Sequence, residues 1–305
     1  MQKIVVILGP TGVGKTETSI HFAEKFKGEI INADSRQLYK ELVIGTSFPT
    51  EKQFRKIPHA LFGATNLADR WDAARFREEA GKHIDAILLR KNIPFVVGGT
   101  GLYIRALLFG IFEGVKTSPI LRQELEKRME TKGLQSLYLE LQKVDPKAAK
   151  KIHPNDPSRI LRALEVYKAT GVPISDYQKD HGFHDIKYNY LKIGINRNRK
   201  QLYERIEGRV DEMVALGLEA EVKSLREKLG GDPLLLRSIG YKEWFPYFEG
   251  KQKREEVIGL IKQNSRNFAK RQLTWFRKET DISWFEAEDI SGMENRIKQF
   301  LPCNS

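Results

Sequence analysis

Gly9-Pro10-Thr11-Gly12-Val13-Gly14-Lys15-Thr16 decides how this chain is read. The stretch fits G-x-x-x-x-G-K-[ST]. It follows the apolar run Ile4–Leu8 and opens a segment, Lys15–Phe26, whose Ile20, Ala23 and Phe26 fall near helical spacing. Strand, glycine loop and helix in that order are the context the pattern needs. The glycines let backbone N–H groups converge on an anion, and the helix N-terminus adds partial positive charge. Lys15 can neutralise phosphate oxygens, and the Thr16 hydroxyl can ligate Mg²⁺. A di- or triphosphate is the expected ligand. The loop alone does not say whether that anion is a nucleotide.

Working outward, Glu29–Asn32, Ile93–Val97 and Tyr190–Ile195 read as further strands. Trp71–Arg90 reads as a helix with Phe76, Ala80, Ile84, Ile87 and Leu88 on one stripe. This alternation predicts an α/β fold: a phosphate-loop, NTPase-like parallel sheet flanked by helices. Ligands of such sheets gather beyond the carboxyl ends of the strands. Three polar clusters fall at those ends: the glycine loop, Asp34-Ser35-Arg36-Gln37, and Gly99-Thr100. They are expected to converge on one crevice. From 115 to 188 strand signals fade and charge-rich helical text takes over. Asp156-Pro157 starts a helix there and Gly171 can end it. Residues 115–188 are therefore expected to form a helical insertion, and 1–114 with 189–305 the catalytic core. In the core a helix over Arg199–Leu216 turns Leu202, Ile206, Val210 and Met213 inward, with Arg205 and Arg209 one turn apart beside them. A basic helix near Lys253–Lys278 carries Lys262, Arg266, Lys270, Arg271, Arg277 and Lys278. It either faces RNA phosphates or packs through Phe268 and Trp275 as an ordinary solvated helix.

Composition narrows the partners. The 305 residues hold 52 Lys plus Arg against 40 Asp plus Glu, a net +12. Such an excess suits a protein that meets a polyanion. One cysteine, Cys303, builds neither a disulfide framework nor a cysteine zinc site, which suits a reducing cytoplasm. The first apolar run is too short for a signal peptide, and no segment approaches the ~20 apolar residues that span a bilayer. A cytoplasmic protein with no membrane partner is expected.

A hydrolytic phosphate-loop protein usually brings a second acidic strand end to its metal and water. Here no hydrophobic strand closes in Asp-x-x-Gly or Asp-Glu. Asp34 is the well-placed acid, either a proton acceptor or a turn residue. Thr100 is either a site hydroxyl or the cap of a helix over Leu102–Leu108. On these residues alone, two readings of the loop stay open. One is a small-molecule kinase using ATP. The other is a non-catalytic RNA-binding protein with a vestigial loop.

Four blocks carry a specific likeness: GPTGVGKT at 9–16, NADSRQLY at 32–39 followed by IGT at 44–46, VVGGTGLYIRALL at 96–108, and HPNDPSRILRALEVYKATG at 153–171. Arg205–Arg209, IGYKE at 239–243 and KRQLTWFRK at 270–278 extend it. In this order they make the chain similar to the bacterial tRNA dimethylallyltransferases, also called tRNA isopentenyltransferases. The resemblance runs from about residue 3 to 285. It implies transfer of a dimethylallyl group from dimethylallyl diphosphate to N6 of adenosine 37, beside the tRNA anticodon, with Mg²⁺; a monomer is the expected form, although the sequence itself does not reveal the oligomeric state. The diphosphate would lie on Gly9, Pro10, Thr11, Gly12, Val13, Gly14, Lys15 and Thr16, with Thr16 on the metal. Asp34 would be the general base, Thr100 a hydroxyl near the reacting groups, and Arg209 a stabiliser of the leaving group. Asp34, Ser35, Arg36, Gln37, Arg122, Ser158, Arg159, Ile160, Leu161, Arg162, Arg237, Gly240, Tyr241 and Lys242 would touch tRNA. Two departures stand out. After Thr46 the family usually shows Ala-Lys-Pro, where this chain has Ser47-Phe48-Pro49 and so lacks a cation. After Pro58-His59 the family often has a second His and an Asp, absent here, which favours a packed structural role for His59.

Overall fold

The computed structural model describes residues 2–69, 71–111, 118–180, 186–230 and 236–301. Cys303 and the expected insertion start at 115 lie outside them. The chain divides into two compact units, residues 1–108 with 187–305, and residues 109–186.

The first unit is built on a six-stranded sheet of β1 (Lys3–Leu8), β2 (Gly28–Asn32), β3 (His59–Ala60), β4 (Ile93–Gly98), β5 (Asn189–Asn196) and β6 (Ile282–Glu286). Its order is β3-β2-β4-β1-β5-β6, and all pairings are parallel. β1 lies between β4 and β5, with Leu8 level with both Gly98 and Gly194. Ile4 to Leu8 are fully buried, as a central strand covered on both faces requires. Helices α1 (Lys15–Lys25), α2 (Glu51–Lys56), α3 (Ala73–Leu89) and α4 (Gly101–Phe109) connect the first strands. Phe76, Ala80, Ile84 and Ile87 form the buried stripe of α3, with Leu88 at its margin.

The second unit is helical: α5 (Pro119–Val144), interrupted at Gly133, where φ is 76°, then α6 (Pro146–Ala149), α7 (Pro157–Thr170) and α8 (Ile174–Asp180). Leu125, Leu137, Leu141, Ile160, Leu161 and Leu164 make its own core. Asp156 caps α7 by accepting the Arg159 N–H, and Gly171 (φ 72°) ends it. The chain returns through β5 to α9 (Arg199–Ala215), α10 (Leu218–Lys228), α11 (Phe245–Phe248), α12 (Arg254–Phe276) and α13 (Ile290–Phe300) in the first unit.

Two sequence expectations change. β3 and β6 are edge strands without a clear sequence signal. α12 packs through Val257, Ile261, Ala269, Gln272 and Phe276, while Phe268 is exposed and Trp275 half-buried. Lys262 and Arg266, read as cations facing RNA or solvent, pair with Asp211 and Glu207 on α9. The buried face of this helix runs through Gln272 and Phe276 and leaves Phe268 outside it.

Candidate active site

Three strand ends meet as the parallel register demands. Leu8 is level with Gly98, and Asn32 with Val97, so the segments that follow β1, β2 and β4 emerge on one edge. The loop after β1 wraps the start of α1 with Gly12 at φ 79° and Gly14 at φ 108°, values that disfavour side chains. Gly9 is needed for closeness: a Cβ there would lie 2.7 Å from the Ile195 carbonyl oxygen on β5.

Lys15 folds back over the loop. Its Nζ donates to the carbonyls of Gly9 (3.0 Å) and Pro10 (2.9 Å). Desolvation and the nearby Arg209 lower its pKa to about 8, against the opposing pull of Asp34. The strand register brings the segment bearing Asp34 to the edge where the glycine loop emerges, and its carboxylate acts electrostatically on both Lys15 and Arg209.

The segment after β2 is held by a residue not singled out in the sequence. Asn32, fully buried, accepts the Asp34 N–H (2.8 Å) and donates to the Asp34 and Leu61 carbonyls (3.0 and 2.8 Å). Asp34 Oδ1 accepts the Arg36 N–H at 2.8 Å, so the carboxylate is also a turn residue. Thr100 does not use its hydroxyl to cap α4. Its carbonyl accepts the Tyr103 and Ile104 N–H groups, and its Oγ1 accepts the Ser35 N–H at 3.0 Å. The hydroxyl therefore joins the ends of β4 and β2.

Gln272 was also missed. From α12 it accepts the Thr11 N–H and donates to the Gly99 carbonyl, both at 2.9 Å, tying the glycine loop to β4. A buried glutamine between apolar turns of a helix was its available signal. Arg209 on α9 reaches the same crevice. Its guanidinium donates to Ser47 Oγ (2.5 Å), the Thr46 carbonyl (2.9 Å) and Thr11 Oγ1 (3.2 Å).

Other expected positions divide by burial. Ser35, Arg36 and Gln37 are half-buried beside Asp34, and Arg237 and Lys242 are exposed in the first unit. Tyr241 is buried, its hydroxyl donating to Glu221 at 2.8 Å, and Gly240 is buried beside it. In the second unit Ser158 and Arg159 are exposed, and Arg162 is half-buried. Ile160 and Leu161 are not surface groups: they lie on the apolar face of α7 within that unit's core. Their side chains hold α7 in place instead of reaching RNA. Arg122 donates to Glu126 and Glu165, both at 2.8 Å. Phe48, where a cation was missed, packs edge-on against Phe62 and tilted against Phe54, each with centroids 5.8 Å apart. His59 joins these rings, donates from Nδ1 to the Ile57 carbonyl 2.6 Å away, and has its pKa lowered by burial.

A parallel α/β sheet carrying a glycine-rich phosphate loop, with the Asp34 carboxylate and the Lys15 and Arg209 cations gathered at its strand ends, is a phosphate-loop protein arranged for group transfer. The chain matches the family model "IPP transferase" over residues 37–279 and "Isopentenyl transferase" over 2–68. It is 45% identical to tRNA dimethylallyltransferase 2 of Geotalea uraniireducens, over 98% of this chain and 97% of the relative. It is 44% identical to the tRNA dimethylallyltransferase of Alkaliphilus metalliredigens, over 98% and 96%. The crystal structure of full-length tRNA isopentenylpyrophosphate transferase from Bacillus halodurans superposes with a TM-score of 0.74 at 39% identity, covering 99% of this chain and 97% of that one. A eukaryotic dimethylallyltransferase acting on tRNA gives 0.80 at 31% identity, covering 98% and 77%. The chain belongs to the tRNA dimethylallyltransferase family of isopentenyl transferases.

Proposed function

We propose that this protein transfers the dimethylallyl group of dimethylallyl diphosphate to N6 of adenosine 37 in a tRNA anticodon loop. The observation that carries the reading is the convergence of three segments at adjacent strand ends: Thr100 bonds the Ala33 carbonyl and the Ser35 N–H on either side of Asp34, and Gln272 ties the glycine loop to Gly99. In the reaction a C–N bond forms between adenine N6 and the allylic carbon. The C–O bond to diphosphate breaks, and the N6 proton passes to Asp34. Lys15, the loop N–H groups and Arg209 hold the charge that develops on the departing diphosphate. The target base must leave its stack to reach the crevice, at a cost of a few kcal/mol that contacts to neighbouring nucleotides offset. Ser35, Arg36, Gln37, Arg237 and Lys242 are suited to such contacts, as are Ser158, Arg159, Arg162 and Arg122 in the second unit.

No group of three or more His, Cys, Asp or Glu side chains gathers as metal ligands among the described residues. That suits Mg²⁺ shared with a substrate, which is bound through one or two protein groups, phosphate oxygens and water. The half-buried Thr16 hydroxyl at the start of α1 fits such a donor set. When bound, the ion supplies electrostatic neutralisation of the diphosphate. We take the working form to be a cytoplasmic monomer. No helix among the described residues is long and apolar enough to cross a membrane.

The test is a transfer assay with radiolabelled dimethylallyl diphosphate and an anticodon stem-loop bearing adenosine 37, run beside calorimetric titration with ATP–Mg²⁺. Label on the adenine supports the reading. Micromolar ATP binding with no binding of the prenyl diphosphate overturns it in favour of a kinase.

A further inference from the structure

We infer that Ser47 is a positioning residue that aims the Arg209 guanidinium at the leaving diphosphate. The inference rests on the placement of Arg209 in the proposed reaction. Of the three acceptors holding Arg209, one is a carbonyl and one belongs to the glycine loop; Ser47 Oγ supplies the third, at 2.5 Å from Nε. Nε is the atom through which the guanidinium plane is oriented, because Nη1 and Nη2 turn with it. Three acceptors fix the planar fork and leave one N–H on Nη1 and one on Nη2 for a ligand.

The backbone carries a second sign of a built feature. Ser47 has φ 48°, in the left-handed region that non-glycine residues disfavour. Its neighbours hold it there from several sides. The Ser47 N–H donates to the Ile44 carbonyl (2.9 Å) and the Phe48 N–H to the Val43 carbonyl (3.0 Å). Gln37 Nε2 donates to the Thr46 and Ser47 carbonyls, both at 3.1 Å. Glu221 accepts the Ile44 and Gly45 N–H groups (2.8 and 3.1 Å) as well as the Tyr241 hydroxyl (2.8 Å). Gly45 fits beneath that tyrosine because a Cβ would lie 2.5 Å from its ring. A strained residue held this firmly points to a role for its side chain.

The next residue contributes nothing polar to the site: the Phe48 ring packs on Phe54 and Phe62, so within this turn the Ser47 hydroxyl and the Thr46 carbonyl are what Arg209 meets. Desolvation, which lowers the pKa of Arg209, makes a misdirected guanidinium costly and a directed one effective.

The experiment measures inorganic diphosphate affinity by calorimetry and prenyl-transfer kinetics for wild type, Ser47→Gly, Ser47→Ala, Arg209→Lys and the Ser47→Gly/Arg209→Lys double variant. Glycine relieves the backbone strain at φ 48° and alanine retains it, yet both remove the hydroxyl. Both are expected to weaken diphosphate binding and lower kcat by about tenfold to a hundredfold, with stem-loop affinity unchanged. In the Arg209→Lys background, Ser47→Gly is expected to add nothing. A loss in Ser47→Ala without one in Ser47→Gly assigns the effect to the backbone and overturns the inference, as do effects that multiply in the double variant. A wild type that neither binds diphosphate nor transfers the prenyl group overturns the reaction itself. A wild type that does both, beside an indifferent Ser47→Gly, overturns only the role of Ser47.

Discussion

In the proposed reaction Asp34 combines two tasks, and one substitution separates them. Its Oδ1 accepts the Arg36 N–H to close a turn, and its carboxylate lies in the field of Lys15 and Arg209. Asparagine keeps an oxygen for the turn but cannot take a proton. Asp34→Asn is therefore expected to lower kcat by about 10²- to 10⁴-fold while leaving stem-loop affinity nearly unchanged. Retention of more than a tenth of wild-type turnover, measured in single-turnover assays, removes Asp34 as the base. Gln272 works differently. It satisfies the Thr11 N–H and the Gly99 carbonyl from a buried position, so Gln272→Ala leaves two backbone groups without their partner. The expected loss is about 2 kcal/mol of stability by urea denaturation, with a raised KM for the prenyl diphosphate. Unchanged values of both would mean that water replaces the amide. The glycine loop, Asp34 and Thr100 were legible because each lies at a strand end with a recognisable local pattern. Gln272 was not, because its partners Thr11 and Gly99 are 261 and 173 residues away in sequence, and Asn32 was not, because its bond to the Leu61 carbonyl spans 29 residues and only the folded chain shows it also holding the Asp34 backbone.

Among the elements, strands with neighbours on both sides announce themselves and edge strands do not. β1, β4 and β5 are continuous apolar runs because both faces are covered, although β5 hides Lys192, 1% exposed and paired with Glu279 and Asp281. β3 has two residues, and β6 packs through half-buried positions, so neither builds a periodic signal. β2 is tied to its neighbours by charge as well as by its ladder. Glu29 is 6% exposed and accepts from Arg90 Nε (2.8 Å) and Nη2 (2.7 Å) and from Asn92 Nδ2 (2.8 Å), linking the start of β2 to the α3–β4 turn. These bonds hold its pKa below the ordinary carboxylate value. A depressed carboxylate pKa means that the unfolded chain binds the proton more readily. The stabilisation is then complete above the unfolded pKa and is lost as pH falls through the folded one. Glu29→Gln is expected to cost about 2 kcal/mol at pH 7. The gap between variant and wild type should close in acid, below about pH 4. A gap independent of pH in urea melts from pH 3 to 7 would show that packing, not charge, accounts for it.

At the scale of the molecule, the net charge of +12 and the division into two units set separate expectations. Arg159 is exposed at the start of α7, its Nε 3.3 Å from Asp156 Oδ2, and α7 belongs to the helical unit. If it meets a phosphate, Arg159→Ala weakens tRNA binding and reduces the slope of log affinity against log salt by about one. An unchanged slope would leave the residue as a local partner of Asp156. The helical unit has its own core, in which Leu164 is fully buried with Leu125, Leu137, Leu141, Ile160 and Leu161. Leu164→Ala opens a cavity there and is expected to cost about 2–5 kcal/mol within that unit. If each unit unfolds cooperatively on its own, hydrogen exchange should quicken across residues 119–180 while amides of β1 and β4 keep their protection. Equal acceleration in both places would mean that the two cores stand or fall together. The sheet that presents Asp34, Thr100 and the glycine loop would then owe part of its rigidity to the helical unit.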